Sequence, residues 1–150
     1  MRRPLAAILI VLVVGGAWVA YVELWRHGGG KPVAWRDLSG SVAAVEITKP
    51  AFQRFRSRSE LERFLPRATV PPIDFARDEV LLAATGARSS TGYGIRIESV
   101  SDERSRIVVR VRETTPSPGQ RVDARVTYPY VLATIPRSDK HVHFVWLGRP

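Results

Sequence analysis

The chain of 150 residues contains no cysteine, and this absence excludes several kinds of protein. Without thiols there is no disulfide framework, no thiolate metal site, no cysteine nucleophile and no lipidated cysteine anchor. Lysine is scarce as well, with three among 23 basic residues, and 14 acidic residues leave a formal net charge of +9. Because arginines and acids are interleaved along the chain, we attribute this excess to general arginine use in preference to a nucleic-acid surface. The apolar fraction of 45% is that of a globular protein and excludes a wholly disordered or collagen-like chain.

One long uncharged stretch, residues 5–22, predicts a transmembrane helix. As a helix it would span roughly 27 Å, which is close to the hydrocarbon thickness of a bilayer. A cleaved signal peptide is the alternative, with Gly15 and Ala17 as small residues before a cut. The apolar run continues beyond Ala17, and the bulky Trp18 stands at −3 from a cut after Ala20, so the sequence favours an uncleaved anchor. Positive charges on the two sides are nearly balanced, and the short N-terminal tail favours export of the C-terminal domain.

Three glycines at positions 28–30 follow the apolar stretch and predict a flexible linker. The chain therefore divides into an N-terminal transmembrane anchor or signal peptide at 1–26, a Gly-rich linker at 27–40 and a β-rich domain at 41–150. We expect a single-pass cell-membrane protein whose domain is extracytoplasmic.

Alternating apolar and polar residues predict mostly β-structure in the domain. The predicted strands cover residues 41–48, 79–85, 93–98, 106–112, 121–126, 130–135 and 142–147. Of these, 79–85 is a continuous apolar run and predicts a central strand, and the next two form an antiparallel hairpin. Ser59 and Glu62 match the S-x-x-E capping box of a short helix that Pro66 ends. The predicted fold is α+β and mainly antiparallel β, a sandwich-like sheet of about six or seven strands with one short helix, preceded by the N-terminal transmembrane helix.

Residues with catalytic chemistry are few in this sequence. His141 and His143 point to one face of a predicted strand and Asp139 lies nearby, but two or three ligands make weak evidence for a metal site. No G-x-S-x-G elbow supports a serine nucleophile. We therefore expect a protein that is not an enzyme, with no catalytic residues, no cofactor and no metal.

Two surfaces are candidates for binding. In a meander, the loops at 86–92, 114–120 and 136–140 would meet at one end of the sheet, as in many binding modules. The predicted partner-binding residues are Ser90, Thr91, Gly92, Tyr93, Pro116, Ser117, Pro118, Gly119 and Gln120. Tyr93 has a second interpretation, as a buried ring that starts a strand. The other candidate is an anionic-binding stripe on one sheet face, formed by Arg96, Arg106, Arg110, Arg112 and Arg125.

Four motifs occur in an order that resembles the PrcB C-terminal family. These are EVLLAATG, the turn and strand STGYGI, the hairpin end VVRVRETTPSPGQ, and VTYPYVLATIP, within residues 73–144. The turn departs from the family's P-T-G-G-Y-like pattern, with Ser90 where a proline often stands and a single glycine before Tyr93. The resemblance implies a non-catalytic accessory subunit, exported or membrane-attached, because the family's namesake stabilises a cell-surface protease complex. The turn is also similar to the first inhibitory loop of chagasin-like cysteine-protease inhibitors.

The leading functional hypothesis is a membrane-anchored, exported protein-binding module, in particular an accessory or stabilising subunit of a protease complex. The first alternative is a structural envelope protein whose basic sheet face contacts anionic lipid or polymer. The second alternative is a loop-based protease inhibitor. No nucleic-acid partner is expected.

Overall fold

The computed structural model describes residues 30–42, 45–65 and 70–148. The predicted membrane segment at 5–22 lies outside these residues. Within them, no helix is long and apolar enough to cross a bilayer. The regular elements are β1 (Lys31–Pro32), β2 (Arg36–Asp37), a 3₁₀ turn (Ser39–Ser41), β3 (Pro50–Phe55), α1 (Arg58–Phe64), β4 (Asp78–Thr85), β5 (Gly94–Glu103), β6 (Arg106–Thr114), β7 (Tyr130–Pro136) and β8 (His141–Trp146).

The strands form two four-stranded sheets. Sheet A has the order β1-β5-β6-β8, and sheet B has the order β2-β7-β4-β3. Neighbouring strands are antiparallel except β6 and β8, which run parallel. The predicted mainly antiparallel β-architecture with one short α-helix is therefore confirmed, with eight strands in the described ranges where six or seven were expected.

Two apolar layers hold the sheets in place. One lies between the sheets, where Leu81 and Ala83 of β4 meet Val109 and Val111 of β6. The other covers the opposite face of sheet B, where Val80, Leu82 and Ala84 pack beneath α1 and the residues at 38–42 and 45–47. Strand β4 is thus covered on both faces and lies between β3 and β7. This explains its continuous apolar run and confirms the predicted central strand.

The helix begins two residues earlier than its predicted cap. Ser57 is the N-cap, and its Oγ accepts a hydrogen bond from the Glu60 N–H at 3.2 Å. The Glu60 carboxylate accepts one from the Arg56 N–H at 2.7 Å. Ser57 and Glu60 carry the same S-x-x-E spacing as Ser59 and Glu62, so the motif predicted the element but not its register. The predicted stop at Pro66 lies outside the described residues.

Two predicted strands are wrong. The described part of residues 41–48 forms no strand, and its apolar residues Val42 and Ile47 are instead buried against sheet B. Residues 121–126 are all exposed and join neither sheet. The strand at 121–126 was predicted from the alternation of apolar and polar residues. Because the apolar residues of this segment are exposed as well, the alternation does not mark a buried face.

The strand registers define two ends of the sandwich. Residues 86–93 and 115–129 leave the sheets at the same end, because β4 ends beside the start of β7, and β5 starts beside the end of β6. We call this the loop end. The β5–β6 turn and residues 137–140 meet at the opposite end, the turn end, where His141 pairs with Arg106. The prediction that residues 136–140 join the other two loops is wrong, because without a strand at 121–126 the chain makes one crossing fewer.

Candidate functional site

Backbone hydrogen bonds join the two loops at the loop end. Arg88 and Thr127 form an antiparallel bridge, with N···O distances of 2.8 and 2.9 Å. The Thr91 N–H donates to the Asp123 carbonyl at 3.2 Å, and the Asp123 N–H donates to Thr91 Oγ1 at 3.0 Å. The Thr127 hydroxyl donates to the Ser90 carbonyl at 2.8 Å. The predicted meeting of these two loops is confirmed, and hydrogen bonds of five of their residues hold them together.

Gly92 lies where the first loop packs tightly against the second. A Cβ atom added there would stand 2.6 Å from both Pro116 Cγ and Val122 Cγ1. Such separations are far inside van der Waals contact, so only glycine fits without movement of the second loop. Gly92 therefore permits the packing of the loops, and its predicted contact with a partner stays a prediction.

A buried ion pair supports the loops from below. The guanidinium of Arg88 binds the Glu113 carboxylate through two hydrogen bonds, at 2.5 and 3.0 Å. The Glu113 side chain is only 1% exposed, while that of Arg88 is 18% exposed. The bond to Glu113 raises the pKa of Arg88. The pair connects residue 88 of the first loop to the end of β6, from which the second loop starts.

The second loop presents the exposed part of the predicted site. Ser117 and Gln120 bond to each other through two backbone N–H groups, at 3.0 Å each. Gly119 adopts a φ of 82°, which favours glycine. Ser117, Pro118, Gly119 and Gln120 are exposed, and Pro116 is half-buried. In the first loop Ser90 is buried, while Thr91, Gly92 and Tyr93 are half-buried. The first loop thus supports the second, which is the more accessible.

Apolar side chains extend this surface. Val126 is 62% exposed and Val122 is 38% exposed, and both belong to the segment predicted as a strand. Isolated exposed valines are ordinary, and these two add apolar area to the exposed part of the second loop.

An aromatic cleft adjoins the loop end, and the sequence reasoning missed it. The cleft has a volume of about 260 Å³ and is lined by Pro50, Phe52, Ala84, Thr85, Arg88 and Trp146. The ring of Phe52 lies 5.4 Å from that of Phe144 and 5.8 Å from that of Trp146. Phe52 and Trp146 remain 37% and 38% exposed, because β3 and β8 are both outermost strands. The strand at 50–55 was not among those predicted, and the exposure of the two rings depends on the strand order, which the sequence pattern does not show.

The predicted basic stripe is only partly formed. Four of its residues lie on the outward face of sheet A: Arg96, Arg106, Arg110 and Arg112. Glu98 accepts hydrogen bonds from two of them, and the bond from Arg112, at 2.5 Å, is the main reason that the pKa of Glu98 is lowered. Glu103 lies 3.1 Å from Arg106 and 3.7 Å from Arg110. The prediction that Arg125 shares this face is wrong, because it stands in the exposed segment 121–126.

The histidines of β8 do not form a metal site with Asp139. His141 and His143 are both exposed on one face of the strand, as predicted, but Asp139 binds Arg56 at 2.8 Å. Within the described ranges, no three His, Asp or Glu side chains gather as a metal ion would require.

The model of the PrcB C-terminal family matches residues 80–136, which confirms the resemblance noted in the sequence. The matched segment runs from β4 to the end of β7 and includes both loops and the Arg88–Glu113 pair. No curated protein and no solved structure matches the chain significantly.

Proposed function

We propose that this chain is a non-catalytic protein-binding module that holds its partner at the loop end. The observation that carries the proposal is the position of Arg88, which lines the aromatic cleft and forms a backbone bridge to Thr127 of the second loop. The loop offers its exposed residues 117–120 and two valines, and the cleft offers two half-exposed aromatic rings beside Arg88. Tryptophan and arginine are among the residues that most often dominate binding energy at protein interfaces.

The rigidity of the site supports the same function. The two loops are fastened by the Arg88–Thr127 bridge and the Thr91–Asp123 bonds, and both are supported by a buried ion pair. A surface ordered before binding loses less conformational entropy when the partner docks. The loop end is therefore built for recognition of a folded surface.

The partner that we propose is a protease complex at the cell surface, which this chain stabilises as an accessory subunit. The match to the PrcB C-terminal family supports this choice, since it covers both loops. The uncharged segment 5–22 supports a single-pass anchor, with the domain outside the cytoplasm. The loop-based inhibitor has weaker support, because residues 137–140, the third loop of that arrangement, lie at the turn end.

The experiment is purification of the tagged full-length protein from mild-detergent membranes, followed by mass spectrometry and a casein-cleavage assay of the eluate. Trp146→Ala and Val126→Glu test the loop end. Each should reduce the recovery of the partner about tenfold, since loss of one well-placed contact costs about 1.4 kcal/mol. The matched control is Trp35→Ala, because Trp35 has the same side chain, is 37% exposed and lies beside β2, away from the cleft.

The outcomes separate the parts of the proposal. Equal recovery with the three variants would remove the loop end as the binding surface. A stoichiometric partner without proteolytic activity would leave the binding module intact and reject the protease complex. Absence of any stoichiometric protein would reject the accessory-subunit function. Circular dichroism of each variant shows whether a loss of recovery reflects unfolding.

A further inference from the structure

The chain reaches the sandwich at the turn end. Lys31 pairs with Asp102 near the last residues of β5. Gly30 lies so close to this strand that an added Cβ would stand 2.9 Å from the Asp102 carbonyl oxygen. The first described residues are therefore fixed beside the β5–β6 turn, and the chain that precedes them starts from that point.

The chain length between the predicted anchor and this point limits how the domain can turn. Residues 23–30 span at most about 28 Å in any conformation, at roughly 3.5 Å per residue. Strand β5 has 10 residues and extends about 30 Å from the turn end to the loop end. With residue 22 at the bilayer surface, the turn end can rest on the headgroups, whereas the loop end reaches them only at full extension of the connecting chain.

Charge at the turn end is compatible with the orientation that the length of the connecting chain favours. A surface depression of about 580 Å³ is lined by the residues that we call the turn-end cluster: Lys31, Asp102, Glu103, Arg104, Ser105, Arg106 and Lys140. Lys140 binds Asp102, and Arg106 binds Glu103 at 3.1 Å. Lys31 and Arg104 are exposed, and neither has an ion pair among the residues that the structure describes. The cluster thus keeps two cations available for anions from outside the domain.

We propose that the turn-end cluster docks on anionic phospholipid headgroups, with Lys31 and Arg104 contacting their phosphates. This orientation directs the second loop and the aromatic cleft away from the bilayer, toward a partner. The inference rests on the membrane anchor of the proposed function. It differs from the earlier basic-stripe hypothesis, because the contact is one end of the sandwich and not the face of sheet A.

The absence of cysteine allows a direct test, since one introduced cysteine gives a unique label. The full-length protein carries Ser105→Cys in one sample and Ser117→Cys in another, both at exposed positions of opposite ends. Each is spin-labelled and reconstituted in phosphatidylcholine vesicles with and without phosphatidylglycerol. Relaxation by nickel chelated to lipid headgroups reports the distance of each label from the bilayer.

We expect several-fold stronger relaxation at position 105 than at position 117, and a further increase at 105 when phosphatidylglycerol is present. Each cation near an anionic surface contributes roughly a fivefold change in binding, so Lys31→Gln with Arg104→Gln should abolish that increase. Arg121→Gln with Arg125→Gln removes the same charge from the loop end and should leave it unchanged.

The contrary results are distinct. A chain that does not stay with the vesicles would overturn both the anchor and this orientation. Anchored protein with equal relaxation at the two positions, or stronger relaxation at 117, would overturn the orientation alone. Relaxation could be stronger at 105 than at 117 and yet unchanged by phosphatidylglycerol and by the Lys31 and Arg104 substitutions. This result would overturn the headgroup contact.

Discussion

Replacing Arg88 by methionine should destabilise the domain and loosen both loops of the candidate site. The substitution keeps the apolar stem but leaves the carboxylate of Glu113, 1% exposed, without its bidentate partner. Removing one member of a buried ion pair typically costs 3–5 kcal/mol. Because the Arg88 side chain is 18% exposed, water partly replaces it, and we expect the lower figure of about 3 kcal/mol. At roughly 3–4 °C per kcal/mol, the melting temperature should fall by about 10 °C.

The assay is urea unfolding of the wild type, Arg88→Met, Glu113→Gln and the double variant, with hydrogen exchange at residues 86–93 and 115–129. The double variant should lose less stability than the sum of the single losses, because each single variant already breaks the same pair. Exchange should accelerate in both loops before it does in β4. Arg125→Met removes an exposed arginine nearby and should change stability by less than about 0.5 kcal/mol. Single losses below about 1 kcal/mol, or strictly additive losses, would refute the claim that this pair supports the site.

Three further predictions concern the packing. Gly92→Ala places a methyl group 2.6 Å from Pro116 Cγ and should cost about 1–3 kcal/mol in urea unfolding, whereas Gly40→Ala, which meets nothing within 4 Å, should be neutral; equal effects would contradict the tight contact. Burial raises the pKa of Glu79 above its ordinary value of 4.5, although nearby arginines oppose this. The folded state therefore holds that proton more tightly than the unfolded chain does, and the resulting stability is present below about pH 4.5 and is lost as the pH rises through the raised pKa. Glu79→Gln should therefore reduce the fall in unfolding free energy as the pH rises, measured by urea unfolding at several pH values. An unchanged dependence on pH would contradict the raised pKa of Glu79. Leu132→Ala, at a fully buried position of β7, should cost about 2–5 kcal/mol, and a loss below about 1 kcal/mol would mean that the core around it repacks.

Local pattern was sufficient for several parts of the fold. The apolar run of β4, the alternation of β5 and β6 and the polar turn between them identified the centre of both sheets. The positions of the two loops followed, because a hairpin returns its two flanking connections to the same end. Ordered short motifs in the same region indicated a resemblance to the PrcB C-terminal family, and the match of that family's model to residues 80–136 confirms the resemblance.

Other parts depended on contacts between distant residues. Alternation showed which side chains could face a core. A strand also needs a neighbouring strand to pair with, and residues 121–126 join neither sheet, so they form an exposed segment. The position of β8 beside β6, in parallel, then placed residues 137–140 at the turn end. The aromatic cleft arose in the same way, because Phe52 and Trp146 became half-exposed only when β3 and β8 took the outermost places in their sheets.

The sequence by itself therefore determined the β-rich class, the central strands and the loops that carry most of the candidate site. The tertiary structure alone decided that residues 137–140 lie at the turn end, which arginines are neutralised by Glu98 and Glu103, and which aromatic rings remain accessible. The physical reason is the separation along the chain of the residues that set each property. Periodicity is a property of neighbours along the chain, whereas strand order, ion pairing and exposure are set by free energies of contact between segments that are far apart in the sequence.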